Sequence, residues 1–218
     1  MDRMLTVKGI GKVSAAPDLL VIDIDLDIVS AEYGKAVELA TRTLSELQSS
    51  LTHLGLPPDG LKTVSYSVNT KYESIRDYRS EKMIRQFVGY ECAHRLRLDF
   101  DLDMQMLAQV IDVIVACKAN PRFSIRFSVK NPDALSDQLL ENAISDATHK
   151  ATILAKAANV TLGAIVRIDY NWGEIEVYSN TRLMMADSMM ADSMIAPMSI
   201  TPDDIDVNDT VAVVWALL

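Results

Sequence analysis

Leu19-Leu20-Val21-Ile22-Asp23-Ile24-Asp25-Leu26-Asp27-Ile28-Val29 is the stretch that decides the fold class. From position 22 to 28 every second residue is aliphatic and every residue between is an aspartate. Successive side chains of a strand point to opposite faces, so Ile22, Ile24, Leu26 and Ile28 share one face. Asp23, Asp25 and Asp27 share the other. A strand with one apolar and one charged face belongs to an antiparallel sheet that is wet on one side.

Upstream, Met4 to Ala15 reads as a strand, and Pro17-Asp18 as the turn of an opening β-hairpin. Downstream, Val37, Ala40, Leu44, Leu47, Leu51 and Leu54 step by three and four, which predicts a helix over about 32–54 that ends at Gly55 and Pro57-Pro58. Thr63 to Tyr72 and Phe87 to Phe100 read as long strands around a polar connection at 76–82. The second of them puts Cys92, His94, Leu96, Leu98 and Phe100 on one face and Arg95, Arg97 and Asp99 on the other. Were it to neighbour Leu19–Val29, cross-strand ion pairs would form between the arginines and the aspartates.

A second helix is predicted over 104–118, with Leu107, Val110, Ile111 and Ile114 inward and Asp101 or Asp103 as its N-cap. Phe123 to Lys130 reads as a strand. Asn131-Pro132-Asp133 opens a third helix, with Asn at the cap and Pro at the first helical position. Leu135, Leu139, Ala143, Ala147, Ala151, Leu154 and Ala158 run down one side of it, small enough to lie close to a sheet. Thr161 to Val177 is strand-like, with Asn171-Trp172-Gly173 as a bulge or bend. Residues 181–199, with Met-Ala-Asp-Ser-Met repeated at 185–189 and 190–194, predict a mobile Met-rich loop. A last strand covers Ile205 to Leu217. The order ββα-ββα-βα-ββ predicts an α+β fold, with helices packed on one face of mostly antiparallel sheet and a single domain over 1–218.

At 218 residues, with 49% hydrophobic and 23% charged, the chain can bury roughly 70% of its unfolded surface without disulfides or metal. A net charge of −9 argues against nucleic acid and against anionic membrane surfaces. No run of about 18 apolar residues offers membrane insertion. The N-terminus Met1-Asp2-Arg3-Met4 lacks the apolar stretch of a signal peptide, so the sequence as it stands predicts a cytoplasmic protein. It would be periplasmic or at the cell surface if a leader had been removed. Cys92 and Cys117 read as free, buried thiols.

Each candidate for chemistry meets a simpler reading. Gly9-Ile10-Gly11 has Ser14 where a dinucleotide fingerprint needs its third glycine, and a strand follows instead of a helix, so a bulge or close backbone approach is expected. Asp23, Asp25 and Asp27 resemble the start of a calcium loop, but Ile28 stands where Gly is required and Gly34 where Glu is required. Asp203, Asp204, Asp206 and Asp209 lead into a strand in the same way. Cys92 and His94 point the same way on a strand and are the one pair with nucleophile–base potential, yet they share their face with Leu96, Leu98 and Phe100. His53 and His149 sit at helical positions without neighbouring ligands. No catalytic, cofactor or metal residues are therefore assigned, and no cofactor is expected.

Val7-Lys8-Gly9-Ile10-Gly11-Lys12-Val13 followed by Ala16-Pro17-Asp18 resembles the N-terminal signature of the SIMPL-domain family. Gly89-Tyr90 before an alternating strand, the Ala-rich stretch 143–158, Leu162-Gly163 and the closing strand after a Pro extend the resemblance over about residues 4–217. The chain looks like a leaderless member of the Gram-positive type. The resemblance implies a non-catalytic, self-associating scaffold or binding protein, related to periplasmic and outer-membrane immunogenic proteins and to relatives linked with stress tolerance. It implies a homo-oligomer and names no protein partner or catalytic residue. The alternative is a thiol-based redox protein or unrecognised enzyme using Cys92 with His94.

Overall fold

A computed structural model describes residues 3–76, 83–170, 177–185 and 200–218. The alternating stretch from Leu19 is the strand β2 (Leu19–Ser30), preceded by β1 (Met4–Ala15) and followed by α1 (Tyr33–His53), β3 (Leu61–Arg76) and β4 (Met83–Asp101). Then come α2 (Met104–Val115), β5 (Arg122–Ser128), α3 (Pro132–Ala157), β6 (Leu162–Tyr170), β7 (Tyr178–Met185) and β8 (Ile205–Leu217). The fold is α+β, with two sheets of order β1-β8-β6 and β3-β4-β2-β5-β7.

The chain divides into two compact units. One comprises Met1–Asp18, Ser128–Asn180 and Pro202–Leu218, and the other Leu19–Phe127 and Thr181–Thr201. In the second unit, β2 pairs antiparallel with β4, and β4 with β3. Leu20, Ile22, Ile24 and Leu26 are buried with Leu96 and Leu98 of β4 and Ile125 and Phe127 of β5. Leu47 and Leu51 of α1 and the predicted quartet Leu107, Val110, Ile111 and Ile114 of α2 close this core. Asp103 caps α2, accepting hydrogen bonds from the backbone N–H of Gln105 and Met106. Gly55, at φ +93°, ends α1 in the left-handed conformation that favours glycine.

In the first unit, β1 and β6 flank β8, both antiparallel to it. The α3 helix, capped by Asn131 with Pro132 in its first turn, lies on one face. Its buried stripe is Leu139, Ala143, Ala147, Ala151 and Ala155. A strict step of four brings Ala155 inward, and the predicted Leu154 is left half-exposed. The helix lies very close to the sheet. A Cβ on Gly9 would fall 1.9 Å from the Ala143 carbonyl oxygen, and one on Gly11 would fall 2.0 Å from that of Leu139. The two glycines are therefore a close backbone approach, the second of the two readings, bulge or close approach, that the sequence left open.

Two expectations need correction. The opening is no hairpin, because β1 pairs with β8 and β2 with β4. Tight hairpins use residues at positive φ, and none of Ala16, Pro17 and Asp18 takes that conformation. Asp18 instead bonds away from β1, its N–H to the Ser128 carbonyl and its carboxylate to the Lys130 N–H. The second correction is β7, a strand where the Met-rich loop was expected to begin. It lies at a sheet edge, and its polar Ser179-Asn180-Thr181 carries no alternation to announce it. The rest of that predicted loop, 186–199, lies outside the described residues, as do the Asn171-Trp172-Gly173 bend and the 77–82 connection.

Candidate functional site

The register of β2 against β4 places Asp23 opposite Arg97 and Asp25 opposite Arg95. The Arg97 Nε donates to Asp23 Oδ1 at 2.9 Å, and the Arg126 Nη2 donates to Asp23 Oδ2 at 2.5 Å. The Arg122 Nη2 donates to Asp27 Oδ2 at 2.6 Å, while Arg95 and Asp25 stand 3.6 Å apart. The aspartate row that resembled a calcium loop is thus one half of a charge ladder on the wet face of the sheet. Arg122 and Arg126 of β5 are its unforeseen members. Among the described residues no cluster of three or more His, Cys, Asp or Glu is placed to hold a metal ion. In the later aspartate group, Asp209 accepts a hydrogen bond from the Tyr170 hydroxyl at 2.8 Å, which raises the Tyr170 pKa.

Cys92 and His94 face inward together, as their spacing required. Cys92 has no exposed surface and packs with Ala36 and Ala40 of α1, beside Ile28, Val68 and Tyr90. Interaction with the Cys92 side chain, ahead of burial, is the largest cause of a Tyr66 pKa pushed up to about 12. His94 Nε2 lies 2.8 Å from the Thr63 hydroxyl, and the Tyr66 ring meets the imidazole edge-on at 5.1 Å between centroids. Burial lowers the His94 pKa, because a charged imidazole loses its hydration there. The two residues are therefore tied into a partnered, tightly packed corner. His53 bonds the Ser49 carbonyl one turn back on α1, and His149 is exposed on α3.

The feature that the sequence reading missed begins one residue before this corner ends. At Gly89 (φ +152°) the register slips: Lys71 faces Gly89, but Tyr72 faces Phe87. Any side chain at Gly89 would meet the Ser30 carbonyl oxygen, where β2 stops. Beyond that point β3 and β4 continue as a two-stranded arm to Arg76 and Met83. Tyr72, Ile75, Met83, Ile84, Phe87 and Val88 are all substantially exposed on it.

A file of aromatic rings runs along the arm from α1. Tyr33 meets Tyr90 edge-on at 5.6 Å, Tyr90 meets Phe87 at 5.5 Å, and Phe87 meets Tyr72 at 5.6 Å. The Arg85 guanidinium then sits 5.0 Å over the Tyr72 ring. Edge-to-face pairs contribute about 0.5–1.5 kcal/mol each, which stiffens a ribbon that two strands alone hold poorly. The available signal was length, since the stretches read as strands, Thr63 to Tyr72 and Phe87 to Phe100, already exceed the usual five or six residues. Tyr, Phe, Met and Arg exposed together on a stiff projection form the kind of surface that proteins bury against one another.

The chain is 23% identical to the uncharacterised protein YggE of Escherichia coli K12 over 184 residues, which are 84% of this chain and 72% of that protein. It is 21% identical to the 26 kDa periplasmic immunogenic protein of Brucella melitensis biotype 1 over 164 residues, 75% of this chain and 65% of that one. The family model of SIMPL, a protein of unknown function (DUF541), matches residues 5–215, so this chain belongs to the SIMPL family.

Proposed function

We propose that this chain is a non-catalytic, self-associating scaffold or binding protein whose β3–β4 arm is the contact surface. The observation that carries the reading is the arm itself: two strands with no third neighbour among the described residues, bearing an exposed aromatic file. Exposed apolar surface of this kind is costly in water and is retained where a partner covers it. A second copy is the partner that needs no further component. The packing of Cys92 under Ala36 and Ala40 supports a structural thiol over a reactive one. The name of the Brucella relative supports a periplasmic setting, which fractionation of cells producing a tagged chain would distinguish from the cytoplasm.

Size-exclusion chromatography with light scattering tests the reading. The wild type is expected as an oligomer at micromolar concentration. Tyr72→Ser combined with Phe87→Ser is expected to lower its mass while leaving the circular dichroism spectrum unchanged. A wild type that is monomeric at every concentration would remove the proposal.

A further inference from the structure

The three-stranded sheet treats its two edges differently. Along β1, the open backbone groups are covered by side chains of α3. The Asn142 amide donates to the Lys12 carbonyl at 3.0 Å, the Ile10 N–H donates to the Asp146 carboxylate at 2.7 Å, and the Lys150 ammonium approaches the Lys8 carbonyl at 3.4 Å. Lys150 also bonds Asp146 at 2.6 Å, which with the Ile10 N–H holds the Asp146 carboxyl below its usual range. Residues four apart on a helix are about 6.0 Å apart along its axis, and residues two apart on a strand about 6.6 Å. One side chain per turn can therefore serve one outward backbone group per strand repeat. This rail closes β1 to any further strand.

The opposite edge, β6, has no such rail among the described residues. Among the described residues no side chain bonds the backbone of 165–169, and Ile165, Val166 and Ile168 are about half exposed there. The register against β8 breaks between Ile165 and Arg167, so the regular part of the edge starts at Arg167. Its sequence, Arg167-Ile168-Asp169, is self-complementary when read antiparallel. In a two-fold pairing centred on Ile168, each Arg167 lies opposite the Asp169 of the other copy, on one face, and the two Ile168 side chains meet on the other. Within one chain Arg167 Nε already reaches Asp169 Oδ2 at 2.9 Å, so both groups lie on the same side of the strand. Sliding the register by two residues either way sets Arg167 against Arg167 or Asp169 against Asp169. Only the Ile168-centred register satisfies both charges.

We propose that two copies of this chain pair antiparallel through β6 about Ile168, joining their three-stranded sheets into one of six strands. This rests on the self-association proposed above and adds to the arm a second, specific contact. Sedimentation velocity on the full chain tests it with Arg167→Asp, Asp169→Arg, their equimolar mixture, and the double variant carrying both changes. Each single variant sets like charges opposite one another, and is expected to weaken this contact by roughly tenfold or more and to reduce the assembly mass by about half. The mixture and the double variant each restore both Arg–Asp pairs, and are expected to regain the wild-type mass. That regain also shows that the single variants are folded. If the wild type associates but the single variants keep its mass, this contact is overturned and the arm reading stands. Loss of mass in the single variants without regain in the mixture and the double variant overturns the pairing. A wild type that never associates overturns both readings.

Discussion

At Gly9 a single methyl group decides whether α3 can lie where it does. The Cβ of an alanine there would sit 1.9 Å from a backbone oxygen, which cannot yield as a flexible side chain could. Gly9→Ala is expected to cost roughly 2–4 kcal/mol in chemical denaturation, as overpacking against backbone does. Gly34 meets nothing within 4 Å in the first turn of α1, so Gly34→Ala is expected to be neutral or to stabilise by up to about 1 kcal/mol. His94 makes the second prediction at this scale. Its folded pKa lies below the 6.5 of a free imidazole because burial disfavours the charge. As pH falls through 6.5 the unfolded chain takes up a proton that the folded chain refuses, and stability declines. Thermal melts of the wild type should therefore lose stability from pH 6.5 downward more steeply than those of His94→Gln, and the two should run parallel above it.

Among the elements, the charge ladder across β4, β2 and β5 divides into a half-buried part and an exposed part. Asp23 accepts from Arg97 and Arg126 at once, with about a third of its side chain exposed, while Arg95 beside Asp25 is mostly in water at 3.6 Å. Asp23→Asn removes the charge and one of the two carboxylate oxygens that accept from Arg97 and Arg126, and is expected to cost about 1–2 kcal/mol in urea unfolding. Asp25→Asn is expected to stay within about 0.5 kcal/mol. Added salt should shrink the first cost only in part, since screening acts mainly on the exposed pair. The strands and their inward faces were legible because alternation is a local property. Arg122 and Arg126 were not read as partners of the aspartates, since nothing in a sequence shows which strand lies on the far side of β2.

For the whole molecule, the self-association proposed above would couple stability to concentration by mass action. The melting temperature of the wild type is expected to rise with protein concentration, and that of the Tyr72→Ser, Phe87→Ser variant to change less. Calorimetry over a tenfold dilution series checks this. A wild-type melting temperature that does not move with dilution would count against assembly of the folded state. The same exposed residues explain why the proposed contact surface escaped the sequence reading. Tyr72 and Phe87 look like ordinary core aromatics on long strands until β2 is seen to stop at Ser30 and leave them uncovered.

What the sequence determined by itself was everything carried by local period and local chemistry. The aspartate face of β2, the inward quartet of α2 and the Asn131 cap all follow from side-chain direction and backbone sterics within a few residues. Tertiary structure alone decided which strands pair. It sent β1 to β8 at the far end of the chain, split the expected opening hairpin between two sheets, and made a strand of the polar stretch at β7. It also left one edge of the smaller sheet railed by α3 and the other without such a rail among the described residues. These outcomes depend on hydrogen bonds between residues far apart in sequence, such as Ile10 with Asp146 and Val7 with Val213. Backbone N–H and C=O groups are the same in every strand, so the choice of partner is made by how whole faces pack and leaves no mark on any one segment.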